Sequence, residues 1–552
     1  MTYPPHSGGD FLARPALPGS FLTPEELPAD TLFMAREVEK FVRGEVLPAR
    51  ESLENHDTEA LRQVLQAAGD MGVAGLTIPE EYGGLGLPRA ASARIAEATG
   101  LDLSFGISLG VHSGVATLPL SCFGTQAQKS ASLPDLASAR TIGAFALSEA
   151  GSGSDALSAR ALAVRLPGGG FELTGEKMWI TNACVAGLFT VFARLEDAGF
   201  SAFLVPGDAE GLSLGPEEHK MGLRGSSTRR VLLDRVRLKE DALLGEPGEG
   251  HRPAFAALNL GRFQIGALCV GACKENLRLA AEYAGQRRQF GRPIAEFPLV
   301  SEKLASMASR TFLMESMLYR IAGSLDSHPG LPAQTAEEFA LECALLKFTS
   351  TEALGLVTDE SLQIHGGYGY SEEYPAARAC RDARVFRIFE GTSEINRIAA
   401  AETAARRFGR GGLNLVSGGP THYQGHAAPA INLLRDLACA LMATYVALSP
   451  DVRRAGQQLA AAASCVAAEL YALESAALRS ASHPLKGMDA LITFASWDCL
   501  QRILLPSLAA APLDSLTRLH ATPGEMAASL RPAEAAWEIG RLVSEAGGYP
   551  WL

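Results

Sequence analysis

Apolar residues recur at helical spacing along the first part of the chain, beginning at about Asp30. One helix, which would end near Pro48, carries its apolar side chains on one face: Met34, Val38, Phe41, Val42 and Val46. Further helical patterns cover Thr58–Gly69, Ala90–Gly100 and Gly110–Phe123. These patterns predict an N-terminal α-helical domain over residues 30–140. The preceding segment, residues 1–29, is rich in Pro and Gly and is predicted to be extended or partly disordered.

The spacing of apolar positions changes after residue 140, where short runs separated by turn residues replace the helical pattern. Ile142–Ser148 has the composition of a buried strand. Further strand-like runs follow it: Ala161–Leu166, Phe171–Thr174, Lys177–Thr181, Leu188–Leu195, Ala202–Val205 and Arg230–Leu238. These runs predict a middle β domain, a barrel or a sandwich, over residues 141–252.

Long helical patterns return after Pro253 and continue towards the end of the sequence. Some are long enough to form a four-helix bundle: Ala254–Gly285, Val300–Ser324, Gln334–Ile364 and Glu394–Arg407. We therefore expect a C-terminal helical bundle domain over residues 253–408 and a Gly-rich linker over 409–429. An additional α-helical domain, broken by several prolines that include Pro506 and Pro512, is predicted over 430–552. The predicted fold class is α+β.

The last helical region could either pack against the protein or lie on a membrane. Between Val452 and Arg479, apolar residues recur at roughly helical spacing: Leu459, Val466, Leu470 and Leu473. Basic residues are few there, whereas a membrane-surface helix is typically rich in Lys and Arg on its polar face. We therefore expect packing, with peripheral membrane contact as the alternative.

Composition and charge narrow the function classes. Hydrophobic residues make up 47% of the 552-residue chain and charged residues 20%, as in a packed globular protein. The net charge of −12 disfavours nucleic acid as the main partner. The nine cysteines include no CxxC pair, and no metal site is expected; Cys269 and Cys273 are predicted to be packing residues. No apolar run reaches the about 18 residues of a membrane span, and no signal or transit peptide is recognised, so the expected location is cytoplasmic.

A glycine-rich motif follows the first predicted strand. Gly151–Ala156 fits the dinucleotide fingerprint G-x-G-x-x-A, which requires a helix and then a parallel strand after it. Strand-like runs follow instead, so a Rossmann unit is not expected. The small residues and the hydroxyls of Ser148, Ser152 and Ser154 can nevertheless approach a flat ring or a phosphate closely.

A lone carboxylate, Glu390, follows the mostly apolar run Val385–Phe389 and precedes a helical pattern. Thr392 or Ser393 can cap that helix. If Phe386 and Phe389 exclude water from Glu390, its pKa is raised and it becomes a stronger base. The alternative is a solvated loop glutamate, and the choice depends on other parts of the chain.

Motifs elsewhere in the chain decide that choice: Leu147–Asp155, Lys177–Asn182, Arg287–Gly291, Gln363–Gly369 and Phe389–Thr392. In this order and at these separations they closely resemble the acyl-CoA dehydrogenase family, over roughly residues 30–407. The extra C-terminal helices resemble the very-long-chain branch of this family. Three further stretches do so as well: Lys220–Thr228, Asn259–Phe263 and Arg384–Thr392. The resemblance implies FAD-dependent α,β-dehydrogenation of a fatty acyl-CoA, preferentially long-chain, to trans-2-enoyl-CoA in fatty acid β-oxidation.

The resemblance also implies roles for individual residues. Glu390 corresponds to the catalytic base, which removes the α-proton while the β-hydrogen leaves as hydride to N5 of FAD. The enolate oxygen would be stabilised by the backbone N–H of Glu390 and a ribityl hydroxyl of the flavin. The implied FAD contacts are Leu147, Ser148, Trp179, Thr181, Arg287, Phe290, Gln363, Gly366, Gly367, Thr392 and Glu394. Five of these residues would contact the FAD of a neighbouring subunit: Arg287, Phe290, Gln363, Gly366 and Gly367. A homo-oligomer of at least two chains is therefore implied.

Substrate contacts are implied in the same way. They are Ser154, Asn259, Arg262, Phe389 and Gly391. Some relatives carry their base just before the arginine of this helix, but this chain has Gly261 there, which strengthens the assignment to Glu390. Small residues line the helix expected beside the acyl tail and could leave a deep channel: Gly110, Ser113, Gly114 and Ala116.

Other functions remain open at this point. An acyl-CoA oxidase would share the fold and the base but use oxygen, whereas the dehydrogenase is expected to use an electron-transfer flavoprotein as its electron acceptor. A flavoprotein scaffold or assembly factor would need no base, which the intact Glu390 disfavours. A DNA-associated branch of the same fold is disfavoured by the acidic charge.

Overall fold

The computed structural model describes residues 6–415, 427–499 and 532–551. The chain forms two compact units. The mixed unit comprises residues 29–264 and 330–337, and the helical unit comprises residues 1–28, 265–329 and 338–552. Parts of three sequence predictions lie outside the described residues: positions 1–5 of the extended segment, 416–426 of the linker, and 500–531, with Pro506 and Pro512, of the last domain.

Helices occupy the first part of the mixed unit, as the apolar pattern predicted. After the short α1 (Asp10–Ala13), which belongs to the helical unit, the helices are α2 (Ala29–Phe41), α3 (Leu47–Glu54), α4 (Thr58–Asp70), α5 (Arg89–Thr99), α6 (Leu103–Gly110), α7 (Leu118–Phe123) and α8 (Gln126–Ala137). The carboxylate of Asp57 caps α4 by accepting hydrogen bonds from the N–H groups of Glu59 and Ala60. A π-helical turn, Val111–Ala116, joins α6 to α7. This turn carries three of the small residues that were expected beside the acyl tail, Ser113, Gly114 and Ala116, and Gly110 ends α6 just before it.

The predicted middle β domain is confirmed, and its strands form one hydrogen-bonded sheet. The strands are β1 (Ile142–Ala146), β2 (Leu162–Arg165), β3 (Phe171–Thr181), β4 (Ala186–Leu195), β5 (Gly199–Pro206), β6 (Leu212–Glu217), β7 (Thr228–Leu238) and β8 (Leu243–Leu244). Their order is β6-β7-β3-β2-β4-β5-β8, and β1 also pairs with β4. Strands β1 and β2 run parallel to β4, and the other pairs are antiparallel.

The strand details differ from the sequence prediction in several places, and the two-residue strand β8 was also not predicted. The runs Phe171–Thr174 and Lys177–Thr181 are one strand, β3, whose pairing with β7 is irregular at Gly175 and again after Lys177. Strand β6 was not predicted, because Gly215 and Pro216 weaken its strand signal.

As expected, no helix of a Rossmann unit follows β1, since only a single 3₁₀ turn separates it from β2.

Long helices dominate the helical unit. They are α9 (His251–Gln286, shared with the mixed unit), α10 (Pro298–Ser327), α12 (Ala340–His365), α13 (Pro375–Arg384), α14 (Ser393–Gly409), α15 (Ala428–Ala447), α16 (Pro450–Ala455), α17 (Gln457–Ser482), α18 (Met488–Cys499) and α19 (Pro532–Ala546). The short α11 (Pro332–Glu338) and a hairpin, β9 (Arg288–Gln289) and β10 (Arg292–Pro293), complete the described elements. The predicted bundle helices are α9, α10, α12 and α14. Helix α13 was not predicted, because its short span lacks larger apolar residues at helical spacing, although Ala and Arg favour helices.

The helices after residue 427 belong to the same compact unit as the bundle helices. Helix α17 packs against α10, α14 and α15. Its apolar residues Val466, Leu470 and Leu473 are fully buried. The expected packing of this helix is therefore confirmed, and peripheral membrane contact stays a prediction.

Residues 6–28 are packed rather than extended over the surface. Phe11 and Leu12 are buried, and the ring of Phe11 packs edge-on against Tyr471 at 4.7 Å. The guanidinium of Arg435 donates to the carbonyl of Phe11, and the thiol of Cys439 donates to that of Leu12. The composition of the segment did not indicate this packing, because the contacts join residues that are distant in sequence.

Four helices among the described residues are long and apolar enough to cross a membrane, judged by length and composition: Leu103–Phe123, His251–Gln286, Ala428–Ala447 and Gln457–Ser482. The expectation that the chain contains no such stretch is thereby corrected. Between 61% and 78% of each apolar window is buried inside the protein, so these surfaces are used in packing.

Candidate active site

Glu390 lies in the turn just ahead of α14, as the sequence predicted; the unpredicted α13 precedes this turn. Its backbone is left-handed, with φ of 53°, and Gly391 follows with φ of 83°. A left-handed conformation is uncommon for residues other than glycine and raises the conformational energy of the turn. Such strain is frequent where a side chain must be held in one direction for function. Glu390 as a residue is half-buried, and its carboxylate atom Oε2 is buried.

Two side chains hold the backbone just after Glu390. The ammonium of Lys347, on α12, donates to the carbonyl of Gly391 at 2.6 Å. The amide of Asn396, which is fully buried, donates to the same carbonyl at 2.7 Å and to that of Thr392 at 3.1 Å. These bonds fix the turn against α12 and α14, so the direction of the Glu390 side chain is set by buried groups.

Of the two residues that could begin α14, Thr392 is the cap. Its hydroxyl accepts a hydrogen bond from the N–H of Ile395 at 3.2 Å. Ser393 instead donates to the carboxylate of Glu352 at 2.7 Å. The N–H of Glu394 and the hydroxyl of Thr392 lower the pKa of the Glu394 carboxyl below its ordinary value. This carboxylate therefore stays charged at the helix N-terminus, where negative charge is favourable.

An aromatic pair lies on the chain just before Glu390. Phe386 is fully buried, and its ring centroid is 4.9 Å from that of Phe389 in an edge-to-face arrangement. Phe389 itself is half-buried. These are the two aromatic side chains that the sequence indicated as candidates for shielding the carboxylate.

In the mixed unit, the segment after β1 is held against β3 by a buried charge. The ammonium of Lys177 is fully buried; it donates to the carbonyl of Leu147 at 3.1 Å and to the carboxylate of Glu149 at 2.7 Å. The N–H of Met178 donates to the carbonyl of Ser148 at 2.9 Å. The predicted flavin contacts Leu147 and Ser148 are thus fixed by consecutive residues of one strand.

Burial and pairing act on this ion pair in opposite directions. Burial would raise the pKa of Glu149, but hydrogen bonds from Lys177 and from the N–H groups of Arg160 and Ala161 lower it below its ordinary value. Burial lowers the pKa of Lys177, and the contact with Glu149 partly offsets that effect. Both groups are therefore held charged mainly by each other.

Trp179 lies at the second irregularity of β3. Its backbone is left-handed, with φ of 57°, and its side chain is 55% exposed. A tryptophan is usually well buried, so this strained and exposed position indicates a surface that a ligand or partner covers. Thr181, two residues later, pairs with Thr228 and is half-buried. Trp179 and Thr181 thus lie on the strand that also holds Ser148.

The helical unit contains a cavity of about 580 Å³ at the C-terminal end of α12. Arg287, Gly366 and Gly367 line it, with Tyr368 beside the guanidinium of Arg287 at 5.7 Å. A β-carbon on either glycine would meet no atom within 4 Å, so the backbone there is open to the cavity. Gln363 is exposed and Phe290 is 95% exposed, and neither lines the cavity.

His365 also lines this cavity. Its ring stacks on Tyr283 at 4.3 Å, and its Nδ1 lies 2.7 Å from the carbonyl of Ser361. Burial lowers the pKa of His365. The neutral ring therefore packs as a wall of the cavity.

The predicted substrate contacts in the mixed unit occupy different environments. Ser154 is exposed in the turn after β1. Asn259 is buried; its amide donates to the carbonyl of Ala336 at 3.2 Å, and its oxygen accepts from the guanidinium of Arg262 at 2.8 Å. Asn259 therefore orients Arg262, which is half-buried.

Several residues that shape the site were given no role from the sequence. Lys177 and Glu149 belong to motifs that were recognised, and the signal for them was a charge inside an apolar strand pattern. Lys347 is a lone cation in the apolar stretch Ala344–Phe348. Because a lysine is rarely buried without a partner, this position could have been recognised from the sequence as one with a specific role. Asn396 had no sequence signal. No group of three or more His, Cys, Asp or Glu side chains that could hold a metal is found in the described part of the chain.

The order of helical, β and helical segments, with a carboxylate turn and an exposed tryptophan bulge, is the arrangement that the resemblance to flavin-dependent oxidoreductases implies. The N-terminal, middle and C-terminal domain models of acyl-CoA dehydrogenase match residues 29–140, 144–236 and 248–405. The chain belongs to the acyl-CoA dehydrogenase family, and it is an FAD-dependent oxidoreductase.

Individual relatives support this assignment. A probable acyl-CoA dehydrogenase from Bacillus subtilis is 43% identical over 420 residues, which are 74% of this chain and 71% of that protein. The human mitochondrial very long-chain specific acyl-CoA dehydrogenase is 41% identical over 347 residues, 61% of this chain and 52% of that protein. The aligned region thus spans about half of the mitochondrial enzyme.

Solved structures share the fold. An acyl-CoA dehydrogenase complexed with FAD from Bacillus anthracis superposes with a TM-score of 0.93 at 34% identity, covering 99% of this chain and all of that one. Butyryl-CoA dehydrogenase from Megasphaera elsdenii gives a TM-score of 0.64 at 30% identity, over 68% of this chain and 98% of that one. The additional C-terminal helices are therefore shared with the first structure.

Proposed function

We propose that this protein catalyses the α,β-dehydrogenation of a fatty acyl-CoA thioester to trans-2-enoyl-CoA, with Glu390 as the base that removes the α-proton. The observation that carries the proposal is the strained, buttressed turn at Glu390. A general base needs a fixed direction and restricted hydration. Lys347 and Asn396 fix the direction of the base by holding the Gly391 carbonyl. The aromatic pair before Glu390 supports restricted hydration.

Removal of the α-proton places negative charge on the thioester oxygen, so donors must face that oxygen. We assign this role to the backbone N–H of Glu390, whose left-handed conformation is fixed by the same buried groups. Phe389 and Gly391 flank the base and are proposed to contact the acyl group. Asn259 and Arg262, which are joined by a hydrogen bond, and the exposed Ser154 are proposed to contact the CoA portion.

The residues present fit FAD in both units. When bound, FAD supplies a hydride acceptor for the β-hydrogen. In the mixed unit, Trp179 offers an exposed ring, and Leu147, Ser148 and Thr181 lie on the fixed segments beside it. In the helical unit, the cavity lined by Arg287, Gly366 and Gly367 combines a cation with an open backbone, which suits a pyrophosphate. Gln363, Phe290, Thr392 and Glu394 are proposed as further FAD contacts.

The test is anaerobic mixing of the purified yellow protein with fatty acyl-CoA, followed by flavin absorbance. We expect rapid bleaching in the wild type. Glu390→Gln should retain FAD and its spectrum but lose about 10²–10⁴-fold or more in the rate of bleaching, because the general base is gone. Glu337→Gln, at an exposed carboxylate, is the matched control and should bleach at the wild-type rate. Equal rates in Glu390→Gln and the control would refute the proposal.

We further propose that the substrates are long-chain acyl-CoAs of fatty acid β-oxidation. The small residues of the π-helical turn and the similarity to mitochondrial very long-chain specific acyl-CoA dehydrogenases support this preference. A series of saturated acyl-CoAs of increasing length tests it, and a maximum at short chains would contradict it.

An electron-transfer flavoprotein is the proposed electron acceptor, and a homo-oligomer is the proposed assembly. The highly exposed Phe290 and the open cavity beside Arg287 support an assembly in which subunits complete each other's FAD sites. Sedimentation of the holoenzyme tests the assembly, and a monomer that retains FAD would contradict it. Reoxidation that needs the flavoprotein supports the acceptor, whereas rapid peroxide formation in air would indicate an oxidase instead.

A further inference from the structure

A buried cluster of charged side chains joins α10 to α17 inside the helical unit. The guanidinium of Arg479, on α17, is fully buried and donates to the carboxylate of Glu315, on α10, at 2.7 Å. Glu315 is fully buried as well and also accepts from the ammonium of Lys274, on α9. Burial would raise the pKa of Glu315, but the two cations lower it below its ordinary value. The carboxylate therefore stays charged between them.

The first segment held by this cluster is the strap, which we define as residues 6–28. The carboxylate of Glu25 accepts from Nε of Arg479 at 2.8 Å and lies 2.6 Å from its Nη2. Near it, Leu22 packs so closely on α10 that a β-carbon on Gly323 would lie 2.7 Å from the β-carbon of Leu22. The missing side chain of Gly323 thus makes room for the strap.

The second segment is the aromatic segment, which we define as residues 547–551. The hydroxyl of Tyr549 donates to Glu315 at 2.7 Å, and the carbonyl of Trp551 accepts from Arg479 at 3.3 Å. The side chain of Trp551 is buried. Arg479 is therefore bonded both to the strap and to the aromatic segment, which are far apart in the sequence.

The charge balance of the cluster depends on both segments. Glu25 and Glu315 supply two negative charges, and Arg479 and Lys274 supply two positive ones. If the strap left, Arg479 would lose one of these two carboxylates. If the aromatic segment left, its two hydrogen bonds to the cluster would be lost and water would reach the charges. Removal of one partner from a buried ion pair is strongly unfavourable, so the departure of one segment weakens the attachment of the other.

We propose that the strap and the aromatic segment form one latch, which holds α17 to α10 and which opens and closes as a single unit. Proteins open locally in cooperative units, and groups that share a buried bonding partner are expected to belong to the same unit. The shared partner here is Arg479. Release of either segment should therefore release the other while the bundle helices α12 and α14 remain folded.

Hydrogen exchange of the holoenzyme, followed by mass spectrometry, tests this coupling. Glu25→Gln removes a negative charge beside Arg479. Amide exchange should then become about tenfold faster in both the strap and the aromatic segment, because a hydrogen bond between charged groups typically changes an equilibrium by a factor of about ten or more. Glu26→Gln is the matched control. Glu26 forms a capping box with Thr23 inside the strap, and glutamine can take its place there, so exchange should match the wild type.

Two further variants test the latch from other sides. Tyr549→Phe removes the hydroxyl that donates to Glu315, and it should speed up exchange in the strap as well as in the aromatic segment. Gly323→Ala places a β-carbon against Leu22, and it should speed up exchange in the aromatic segment as well as in the strap. Gly285→Ala, on α9, is the control for the added methyl group, because the nearest atom outside its own helix would be 4.0 Å away.

The pattern of exchange decides the proposal. Faster exchange in both segments, with α12 and α14 exchanging as in the wild type, would support the latch. An increase confined to the mutated segment would overturn it, because the segments would then open independently. An equal increase in α12 and α14 would also overturn it, because the segments would then open only with the whole helical unit. Absorbance of bound FAD verifies that each variant is folded, and a variant that does not fold leaves the other two as tests.

Discussion

The ammonium of Lys177 and the carboxylate of Glu149 lie 2.7 Å apart, with side-chain exposures of 0% and 9%. The pair joins strand β3 to the segment that carries Leu147 and Ser148. A buried pair of this kind contributes little net stability by itself, yet removing one partner leaves an uncompensated buried charge. The pair therefore fixes one arrangement of the proposed flavin-binding segment and penalises others.

Replacement of one partner of this pair should destabilise the protein strongly. Lys177→Met leaves Glu149 buried without its cation, for which we expect a loss of about 3–5 kcal/mol in the free energy of unfolding. Chemical denaturation followed by tryptophan fluorescence measures it. FAD retention should also fall, because the Leu147 carbonyl loses its donor.

The neighbouring residue provides the control for that experiment. Glu176, next to Lys177 on β3, pairs with Arg230 on β7, but both side chains are more than 40% exposed. Glu176→Gln should therefore change stability by less than about 1 kcal/mol. Similar small losses in both variants would show that the buried pair is not a constraint on this segment.

A second buried carboxyl makes stability depend on pH in the neutral range. Burial raises the pKa of Glu342 from 4.5 to about 7, although the N–H of Gly9 donates to it at 2.5 Å. A raised pKa in the folded state means that the contribution of Glu342 is full below about pH 4.5 and is lost as pH rises through about 7.

Glu342→Gln removes this titration, so the variant should gain stability relative to the wild type between pH 5 and pH 8.5, by up to roughly 3 kcal/mol. Thermal midpoints of both proteins across that range measure the difference. Glu337→Gln, at an exposed site on α11, should show no such trend. A difference that stays constant with pH would contradict the assignment.

His112 should make the opposite contribution at acid pH. Its Nδ1 accepts from the N–H of Gly143 at 3.0 Å, so the proton is on Nε2, which donates to the carbonyl of Leu136 at 3.0 Å. Burial lowers the pKa of His112 from 6.5 to about 4. A lowered pKa means that its contribution is present above pH 6.5 and is lost as pH falls through about 4.

The slope of stability against pH between 6.5 and 4 should accordingly be smaller in His112→Gln than in the wild type, even though the variant starts from a lower value. Denaturation midpoints at several pH values give this slope. His251→Gln, at an exposed histidine, serves as the comparison and should keep the wild-type slope. Identical slopes in all three proteins would rule out His112 as the titrating group.

Phe290 offers a test of the proposed shared cofactor site. Its ring is 95% exposed and contacts Phe297 edge-on at a centroid distance of 6.0 Å. Because the side chain is almost fully exposed, Phe290→Ala should change the stability of the FAD-free protein by no more than about 0.5 kcal/mol. The affinity for FAD should nevertheless fall, as measured by ultrafiltration of the released flavin. Unchanged FAD affinity would remove Phe290 from the site.

The sequence predicted the parts of this structure that depend on local pattern. The long helices follow the apolar spacing, and Glu390 lies just before the start of α14, as expected. The cap of α14 is Thr392, one of the two candidates. These features are encoded within a few residues and need no knowledge of distant contacts.

Features that depend on distant contacts were not predictable in the same way. The π-helical turn, the packing of Phe11 on Tyr471 and the hydrogen bonds of Lys347 and Asn396 to Gly391 join residues through tertiary structure. Strand β6 carries Gly and Pro, so its pairing with β7 prevailed over its weak propensity. The roles of the individual site residues remain predictions that the variants above can test.

The left-handed turn at position 390 has a consequence for engineering. Glycine is the residue that this backbone conformation favours, so a screen for heat resistance alone would tend to select it there. Such a variant would survive heating better and perform no proton abstraction. Directed evolution of this protein therefore has to select for turnover in every round.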